Sequence, residues 1–128
     1  MGNPEASVCL DVEFHVVDAN PRSLALFGYS IDEVRGKHID DVVVPNNMME
    51  EAKRLNENAA NGYVYHDTVR KRKDGSLVPV SVSAAPLTVG NKLVGYGGVY
   101  KDISEMKKTE KGTDRVKKTF PIIVQPYG

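Results

Sequence analysis

The sequence predicts an α+β fold in which a five-stranded antiparallel sheet carries several short helices on one face. Three observations support this prediction. Two short β-prone stretches lie near the amino terminus, capping signals for short helices follow, and the second half of the chain alternates apolar and polar residues. With 128 residues the chain is long enough for one domain with one modest core.

The first thirty residues predict a hairpin followed by a helix. Residues 6–10 and 14–18 are strand-like, and a tight connection lies between them. Asn20 is a favourable N-cap, Pro21 a favourable first helical residue, and Gly28 a favourable C-terminal stop. Helical spacing directs three residues of this helix inward, namely Leu24, Ala25 and Phe27.

Further short helices are predicted between residues 30 and 60. Ser30 and Glu33 form the pattern of a capping box, so a second helix runs to about Val34. A brief apolar piece, 39–44, ends at a proline, and a longer amphipathic helix follows over 47–60. We expect its charged residues to be solvated: Glu50, Glu51, Lys53, Arg54 and Glu57.

Three long strands are predicted after residue 62. They cover about 63–71, 78–84 and 92–101, and Asp-Gly and Gly-Asn turns separate them. In the middle strand one side faces the core, with the residues Val78, Val80, Val82 and Ala84. Pro79 in the same strand indicates a backbone position without a ladder partner.

Composition and charge weigh against several functional classes. Lys plus Arg and Asp plus Glu are each 17, so no net field attracts nucleic acid. The basic run 70–73 leads into a turn, where we interpret it as a solvated strand end. No apolar run is long enough to insert into a bilayer. The single cysteine, Cys9, favours a reducing compartment, and we expect the domain to be cytoplasmic.

Catalytic and metal-binding patterns are also missing from the sequence. No Cys/His cluster has zinc spacing, and no phosphate-binding Gly-Lys-Ser/Thr loop occurs. The adjacent acidic pairs Asp40-Asp41 and Glu50-Glu51 are explained by helix capping or solvation. We therefore expect neither an enzyme nor a metal site.

Three motifs, in this order and spacing, resemble the PAS domain family of sensory modules. The first runs from Asn20-Pro21 through Leu24 to Lys37, the second is Arg72-Lys73-Asp74-Gly75-Ser76, and the third runs from Gly95 to Glu105 with Asp102-Ile103-Ser104-Glu105 at its end. The resemblance places a sensory domain at 6–108 and a linker or tail of uncertain structure at 109–128.

The resemblance implies a cavity between sheet and helices that often holds a small molecule. It also implies an effector in the parent protein, such as a histidine kinase or a diguanylate cyclase. On this basis we expect a module that binds a small ligand or a partner protein and relays the signal, as a homodimer. The alternative is a dimerisation scaffold without a small ligand.

The resemblance also bears on which cofactors are expected, although it leaves the ligand itself unknown. In light-sensing LOV relatives a reactive cysteine follows a Gly-x-Asn segment, and here Ile39 stands in its place. In haem-binding relatives a histidine on the longer helix holds the iron, and residues 47–60 contain none. Neither a flavin adduct nor a histidine-ligated haem of the usual kind is expected.

Four residues are candidates for the ligand pocket: His66, Val82, Tyr96 and Gly98. His66 lies on a strand whose two faces both mix apolar and polar groups, so its direction stays open. The glycines of the last strand either leave room for a ligand or backbone, or mark a bulge. Asp102 and Ile103 are the candidates for the junction that passes the signal to an effector.

Overall fold

Five strands form one antiparallel sheet, and the predicted fold class is confirmed. The strands are β1 (Ala6–Leu10), β2 (Val16–Ala19), β3 (Val64–Lys71), β4 (Leu77–Val89) and β5 (Lys92–Asp102). Their order across the sheet is β2-β1-β5-β4-β3, and every neighbouring pair is antiparallel. The computed structural model describes residues 5–106, so the predicted tail, 109–128, lies outside the described residues.

The helices are α1 (Pro21–Phe27), α2 (Ile31–Val34), α3 (Ile39–Val43) and α4 (Met49–Ala59), and a 3₁₀ turn (Asn46–Met48) precedes α4. Their boundaries follow local hydrogen bonds. Asn20 Oδ1 accepts the Ser23 backbone N–H at 2.9 Å, and Gly28 ends α1 with a φ of 83°. Glu33 Oε1 accepts the Ser30 N–H at 2.8 Å at the start of α2.

The start of the second strand was predicted two residues too early. Asp11 Oδ1 accepts the backbone N–H groups of Glu13 and His15, each at 2.9 Å, and so folds residues 11–15 into a turn. Phe14 has a φ of 67° in this turn, which is rare for a residue with a side chain. The strand therefore begins at Val16 and ends at Ala19.

The inward face of α1 also differs from the prediction. Ala25 is exposed, whereas Ser23 is only 2% exposed. The burial of this polar residue is possible because Ser23 Oγ donates to Asn20 O at 2.9 Å. Phe27 lies in the core as predicted, and Leu24 packs against it.

One face of the sheet packs against the helices, and strand register shows which residues it presents. Ala6, Val8 and Leu10 of β1 lie opposite Tyr100, Gly98 and Tyr96 of β5. On β4, the alternating residues Val78, Val80 and Val82 belong to the same buried core, which confirms the predicted inward side. On β3, the residues that share this face are Val64, His66, Thr68 and Arg70.

Pro79 lies where the ladder between β4 and β5 ends. Its carbonyl accepts the Ile103 N–H at 3.0 Å, one residue beyond the end of β5. Because the N and O of one strand residue point to the same side, the missing N–H of Pro79 faces this end as well. The Pro79 nitrogen therefore faces Ile103, which lies outside β5, and no residue within β5 loses a ladder hydrogen bond. This agrees with the prediction that the backbone at Pro79 lacks a ladder partner.

Candidate functional site

A cavity of about 40 Å³ lies between the inner face of the sheet and the helices α3 and α4, with room for about three water molecules. Strands β1, β3, β4 and β5 contribute to its wall. Its lining is mainly apolar and aromatic, with Val8, Leu10, Phe14, Ile39, Ala52, Leu55, Ala59, Val82, Ala84, Tyr96, Gly98 and Tyr100, and it carries three polar side chains, Asp40, Asn56 and Arg70.

Three of the four predicted pocket residues lie together in this wall. Val82, Tyr96 and Gly98 line the cavity on two neighbouring strands. His66 shares the helix-facing side of the sheet but is not part of the lining. Its side chain is 49% exposed in a separate surface groove between α4 and β3, where Nε2 lies 3.1 Å from Glu51 Oε2.

Aromatic rings form one side of the cavity. The Phe14 ring stacks on the Tyr96 ring with 4.2 Å between the centroids. The Tyr100 ring contacts Phe27 edge to face, with 5.0 Å between the centroids. The turn that interrupts the predicted second strand therefore places Phe14 against the cavity.

Both tyrosine side chains are deeply buried. Tyr96 is 3% exposed and Tyr100 is 7% exposed, and neither hydroxyl has a hydrogen-bond partner among residues 5–106. Burial raises the pKa of Tyr100 to about 12, although the positive charge of Arg70 acts in the opposite direction. The Tyr100 phenol is therefore neutral at physiological pH, and its hydroxyl can donate or accept a hydrogen bond.

The polar side of the cavity contains a buried arginine, which the sequence interpretation missed. Arg70 was expected at a solvated strand end, but it is only 3% exposed. Its Nη1 lies 3.0 Å from Glu51 Oε1 and donates to Val69 O at 2.9 Å. The reason is strand alternation, which turns Arg70 to the same face as Thr68.

Glu51 was expected on the solvated face of the long helix, and this prediction was wrong. It points toward the sheet, where it accepts a short hydrogen bond from Thr68 Oγ1 and pairs with Arg70. Burial would raise the pKa of Glu51, but the Thr68 hydrogen bond and the Arg70 charge outweigh it and hold the pKa below its ordinary 4.5. Helical spacing could have indicated this orientation, because Glu51 lies four residues before Leu55, which lines the cavity, and residues four apart share one helix face.

Asp40, previously interpreted as a capping or solvated carboxylate, lines the cavity. Its side chain is 15% exposed, and Oδ2 accepts the Asn56 Nδ2–H at 2.9 Å. His38 Nδ1, which accepts the Asp40 backbone N–H at 3.1 Å, is 4.0 Å from Oδ2. Burial raises the pKa of Asp40 above 3.8, although His38, Arg70 and Asn56 all favour the ionised form. Desolvation therefore prevails over the neighbouring charges.

Asp40→Asn is expected to stabilise the domain at neutral pH. A carboxyl whose pKa is raised in the folded state stabilises the fold while protonated, and this contribution is lost as the pH rises through the folded pKa. The amide keeps an oxygen for Asn56 but carries no buried charge. Urea unfolding at pH 7 should show a higher free energy of unfolding for the variant, and the difference should shrink near pH 3.8. A less stable variant at pH 7 would contradict this assignment.

The glycines of β5 have three different neighbourhoods. A Cβ on Gly95 would lie 2.2 Å from Leu10 O, so Gly95 permits close approach of the backbone of β1. The β4–β5 register shifts at Leu87, the partner of Gly95, so an irregularity is present here as well. Gly97 lies under Leu87, and Gly98 faces Val8 beside the cavity.

The predicted relay junction lies at the end of β5. Asp102 Oδ1 accepts the Ser104 N–H at 2.9 Å and the Ser104 hydroxyl at 2.6 Å, which turns the chain out of the strand. Ile103 is only 3% exposed. The junction is therefore attached to the sheet through the buried Ile103, whose backbone N–H donates to Pro79 O of β4.

Other sequence candidates lie away from the cavity or form no site. Cys9 is half-buried on β1, one position off the inward-facing Val8 and Leu10, and so faces the opposite side of the sheet. Between residues 5 and 106, no group of three or more His, Cys, Asp or Glu side chains is placed to hold a metal ion. None of the described helices is long and apolar enough to cross a membrane.

A family model described as PAS domain matches residues 4–105, which is most of the chain. The chain belongs to the PAS domain family. Its proteins are generally sensory rather than catalytic modules.

A curated relative supports a role as a sensory signalling module. The sensor protein TdiS of Thauera aromatica is 33% identical over an alignment of 99 residues, with 73% of this chain and 18% of that protein covered. The chain therefore spans less than a fifth of the length of this relative.

Solved structures show the same fold. A PAS domain from Colwellia psychrerythraea has 24% identity and a TM-score of 0.71, with 79% of this chain and 87% of that chain covered. The PAS domain of a LuxR-family transcriptional regulator from Burkholderia thailandensis, solved in complex with ethanol, has 23% identity and a TM-score of 0.63. That match covers 79% of this chain and 90% of the regulator's domain.

Proposed function

We propose that this domain binds a small ligand in its interior cavity and relays the binding through β5 to an effector domain, such as a histidine kinase or a diguanylate cyclase. One observation supports this proposal most strongly. The same strand that supplies Tyr96, Gly98 and Tyr100 to the cavity wall ends at Asp102, and the exit junction with Ile103 follows directly. The proposed compartment is the cytoplasm, and the proposed activity is binding without catalysis.

The size of the cavity limits the ligand. A space for about three water molecules accepts a molecule of about three or four non-hydrogen atoms without rearrangement. The Burkholderia thailandensis neighbour was solved with ethanol, which has this size. A flavin or a haem would need the helices to move away from the sheet.

The relay requires that the ligand bind two arrangements of the junction unequally. A ligand that presses on Tyr100 displaces a residue two positions before Asp102. Because Asp102 Oδ1 holds Ser104 through two hydrogen bonds, a shift of β5 changes the direction in which the chain leaves the sheet. The affinity difference between the two arrangements sets the strength of the signal.

Gly98→Ala tests the cavity as the binding site. The added Cβ would lie 3.2 Å from Val8 Cγ2 and would occupy space beside the cavity, so we expect affinity for a bound small molecule to fall roughly tenfold or more. The measurement is a titration followed by amide chemical shifts, with ethanol, methylammonium and formate as separate probes. A probe that binds inside should shift cavity residues and also Asp102 and Ile103.

Gly97→Ala is the matched control for this experiment. Its Cβ would be 3.7 Å from the Leu87 side chain, an ordinary contact on the opposite face of the sheet. It should leave every probe's affinity unchanged. Equal effects of the two substitutions, or saturable shifts confined to surface residues, would refute an internal site.

A homodimer through the outer face of the sheet is the second candidate function, as an assembly scaffold. Tyr65, Leu77 and Leu87 lie on this face and are 60%, 58% and 41% exposed, respectively. Large exposed apolar side chains on a sheet face can contribute to an interaction surface. Sedimentation velocity over a range of protein concentrations would show whether the domain self-associates, and loss of association in Leu87→Glu would assign the face.

A further inference from the structure

The charges around the cavity do not balance. Arg70 lines the wall, but its guanidinium is already paired with Glu51 at 3.0 Å. Asp40 lines the same wall and has only the neutral Asn56 amide at hydrogen-bond distance. The nearest basic side chain to its carboxylate is His38, with Nδ1 at 4.0 Å, and that nitrogen accepts the Asp40 backbone N–H. The cavity therefore presents a largely buried carboxylate without a cation of its own.

The tyrosine hydroxyls are a second group of polar atoms at this cavity. Tyr96 and Tyr100 are each more than nine-tenths buried in the cavity wall, and no hydrogen bond within residues 5–106 uses either hydroxyl. Neither hydroxyl oxygen is fully enclosed, since among residues 5–106 the buried side-chain oxygen without a hydrogen bond is Glu51 Oε1, so each hydroxyl is free to donate to or accept from a ligand. Tyr100 lines the same cavity as Asp40 and Arg70.

Aromatic faces complete the arrangement. Phe14 and Tyr96 stack at 4.2 Å and belong to the same lining as Asp40. The His38 ring lies between the two groups: its centroid is 6.3 Å from the Phe14 ring centroid, and its Nδ1 is 4.0 Å from Asp40 Oδ2. A carboxylate combined with aromatic faces is a suitable site for an organic cation, because the rings attract positive charge and the carboxylate neutralises it.

We propose that the cavity binds a small primary ammonium ion of up to about three or four non-hydrogen atoms, whose nitrogen pairs with Asp40 and whose carbon end contacts the Phe14 and Tyr96 rings. The three N–H donors of an ammonium group match the Asp40 carboxylate and the two free phenol oxygens. This inference rests on the proposed function and specifies its ligand. A carboxylate ligand of the same size fits less well, because the guanidinium that would receive it is held by Glu51.

The test compares three probes of nearly equal size and different charge on the intact chain: methylammonium, methanol and formate. Dissociation constants are measured from chemical-shift titrations at pH 7 and constant ionic strength. In the unsubstituted protein we expect methylammonium to bind about tenfold more tightly than methanol, which corresponds to ~1.4 kcal/mol. Formate should bind more weakly than either.

Asp40→Asn should reduce the ratio between methylammonium and methanol to about one, while methanol binding persists. This variant is expected to fold, because it removes an unfavourable buried charge. Asp41→Asn is the matched control: Asp41 is the next residue of the same helix, is exposed, and does not line the cavity. It should leave the ratio at about tenfold, as in the unsubstituted protein.

The outcomes separate this inference from the proposed function. Methanol or formate binding as tightly as methylammonium, with Gly98→Ala still blocking the site, would overturn the ammonium assignment and leave the internal site intact. An unchanged ratio in Asp40→Asn would also overturn it. Failure of all three probes to shift any cavity residue would refute both the assignment and the internal binding of small ligands.

Discussion

Gly95→Ala is expected to destabilise the domain by roughly 3 kcal/mol or more, a large part of the stability of a domain of this size. The added Cβ would lie 2.2 Å from Leu10 O and 3.3 Å from Leu10 C. Both atoms belong to the backbone, so no side-chain rotation relieves the overlap. The pairing of β1 with β5 beside Leu10 and Tyr96 must open instead. Urea unfolding monitored by circular dichroism measures the loss.

Gly97→Ala serves as the control for this prediction too, since it makes the same chemical change two residues along the strand. Its Cβ would meet only the Leu87 side chain, at 3.7 Å or more. We expect its stability to stay within about 1 kcal/mol of the unsubstituted protein. Similar unfolding free energies for both variants would show that β1 does not approach Gly95 as closely as described.

Arg70→Met is expected to cost roughly 3 kcal/mol at neutral pH, because it leaves Glu51 facing the core without its cation. The guanidinium is 3% exposed and is 3.0 Å from Glu51 Oε1, so solvent replaces this interaction poorly. Glu51 is 26% exposed, and hydration of its carboxylate reduces the loss of unfolding free energy. Unfolding free energies at several pH values measure both the loss and its origin.

The pH dependence of this loss has a defined sign. The folded-state pKa of Glu51 lies below 4.5, so its contribution to stability is present above that pH and disappears as the pH falls through the folded pKa. Without Arg70 this contribution is smaller, because only the Thr68 hydrogen bond and the neighbouring His66 still favour the ionised carboxyl, so the deficit of Arg70→Met should be largest at neutral pH and smaller in acid.

Two further variants show whether the ion pair is responsible. Adding Glu51→Gln to Arg70→Met should recover part of the stability, because it removes the unpaired charge. Lys71→Met removes a cation from the next position, which points to the other face of the sheet, and should have little effect. A deficit that is independent of pH and insensitive to Glu51→Gln would assign the loss to packing alone.

Much of the fold was predictable because its signals are local. Asn20 and Gly28 bound α1 through hydrogen bonds and backbone angles within a few residues of each end. The Asp74-Gly75 turn joins β3 to β4 for the same reason, with Gly75 at a φ of 89°. Phe14 was wrongly predicted to start a strand. The Asp11 carboxylate accepts the His15 backbone N–H and so forms a turn in place of strand pairing, and the β propensity of single residues contains no information on this hydrogen bond.

The candidate site was predictable only in part. Alternation in β4 and β5 indicated Val82, Tyr96 and Gly98, and these residues line one cavity. The polar side was missed, because charged residues were assigned to solvent on the basis of their charge. Arg70 is buried because a residue distant in sequence, Glu51, pairs with it. Such a pair follows from the packing of α4 against β3 and has no local signal.

By itself the sequence determined the order of the elements, the antiparallel sheet and the family, because caps, turns and alternation act over a few residues. Only the tertiary structure decided which polar groups face inward. It placed His66 outside the cavity lining, Asp40 in the cavity wall and Phe14 against Tyr96. The physical reason is that burial and pairing of a charge depend on partners from other strands and helices, whose positions become defined only when the whole core is packed.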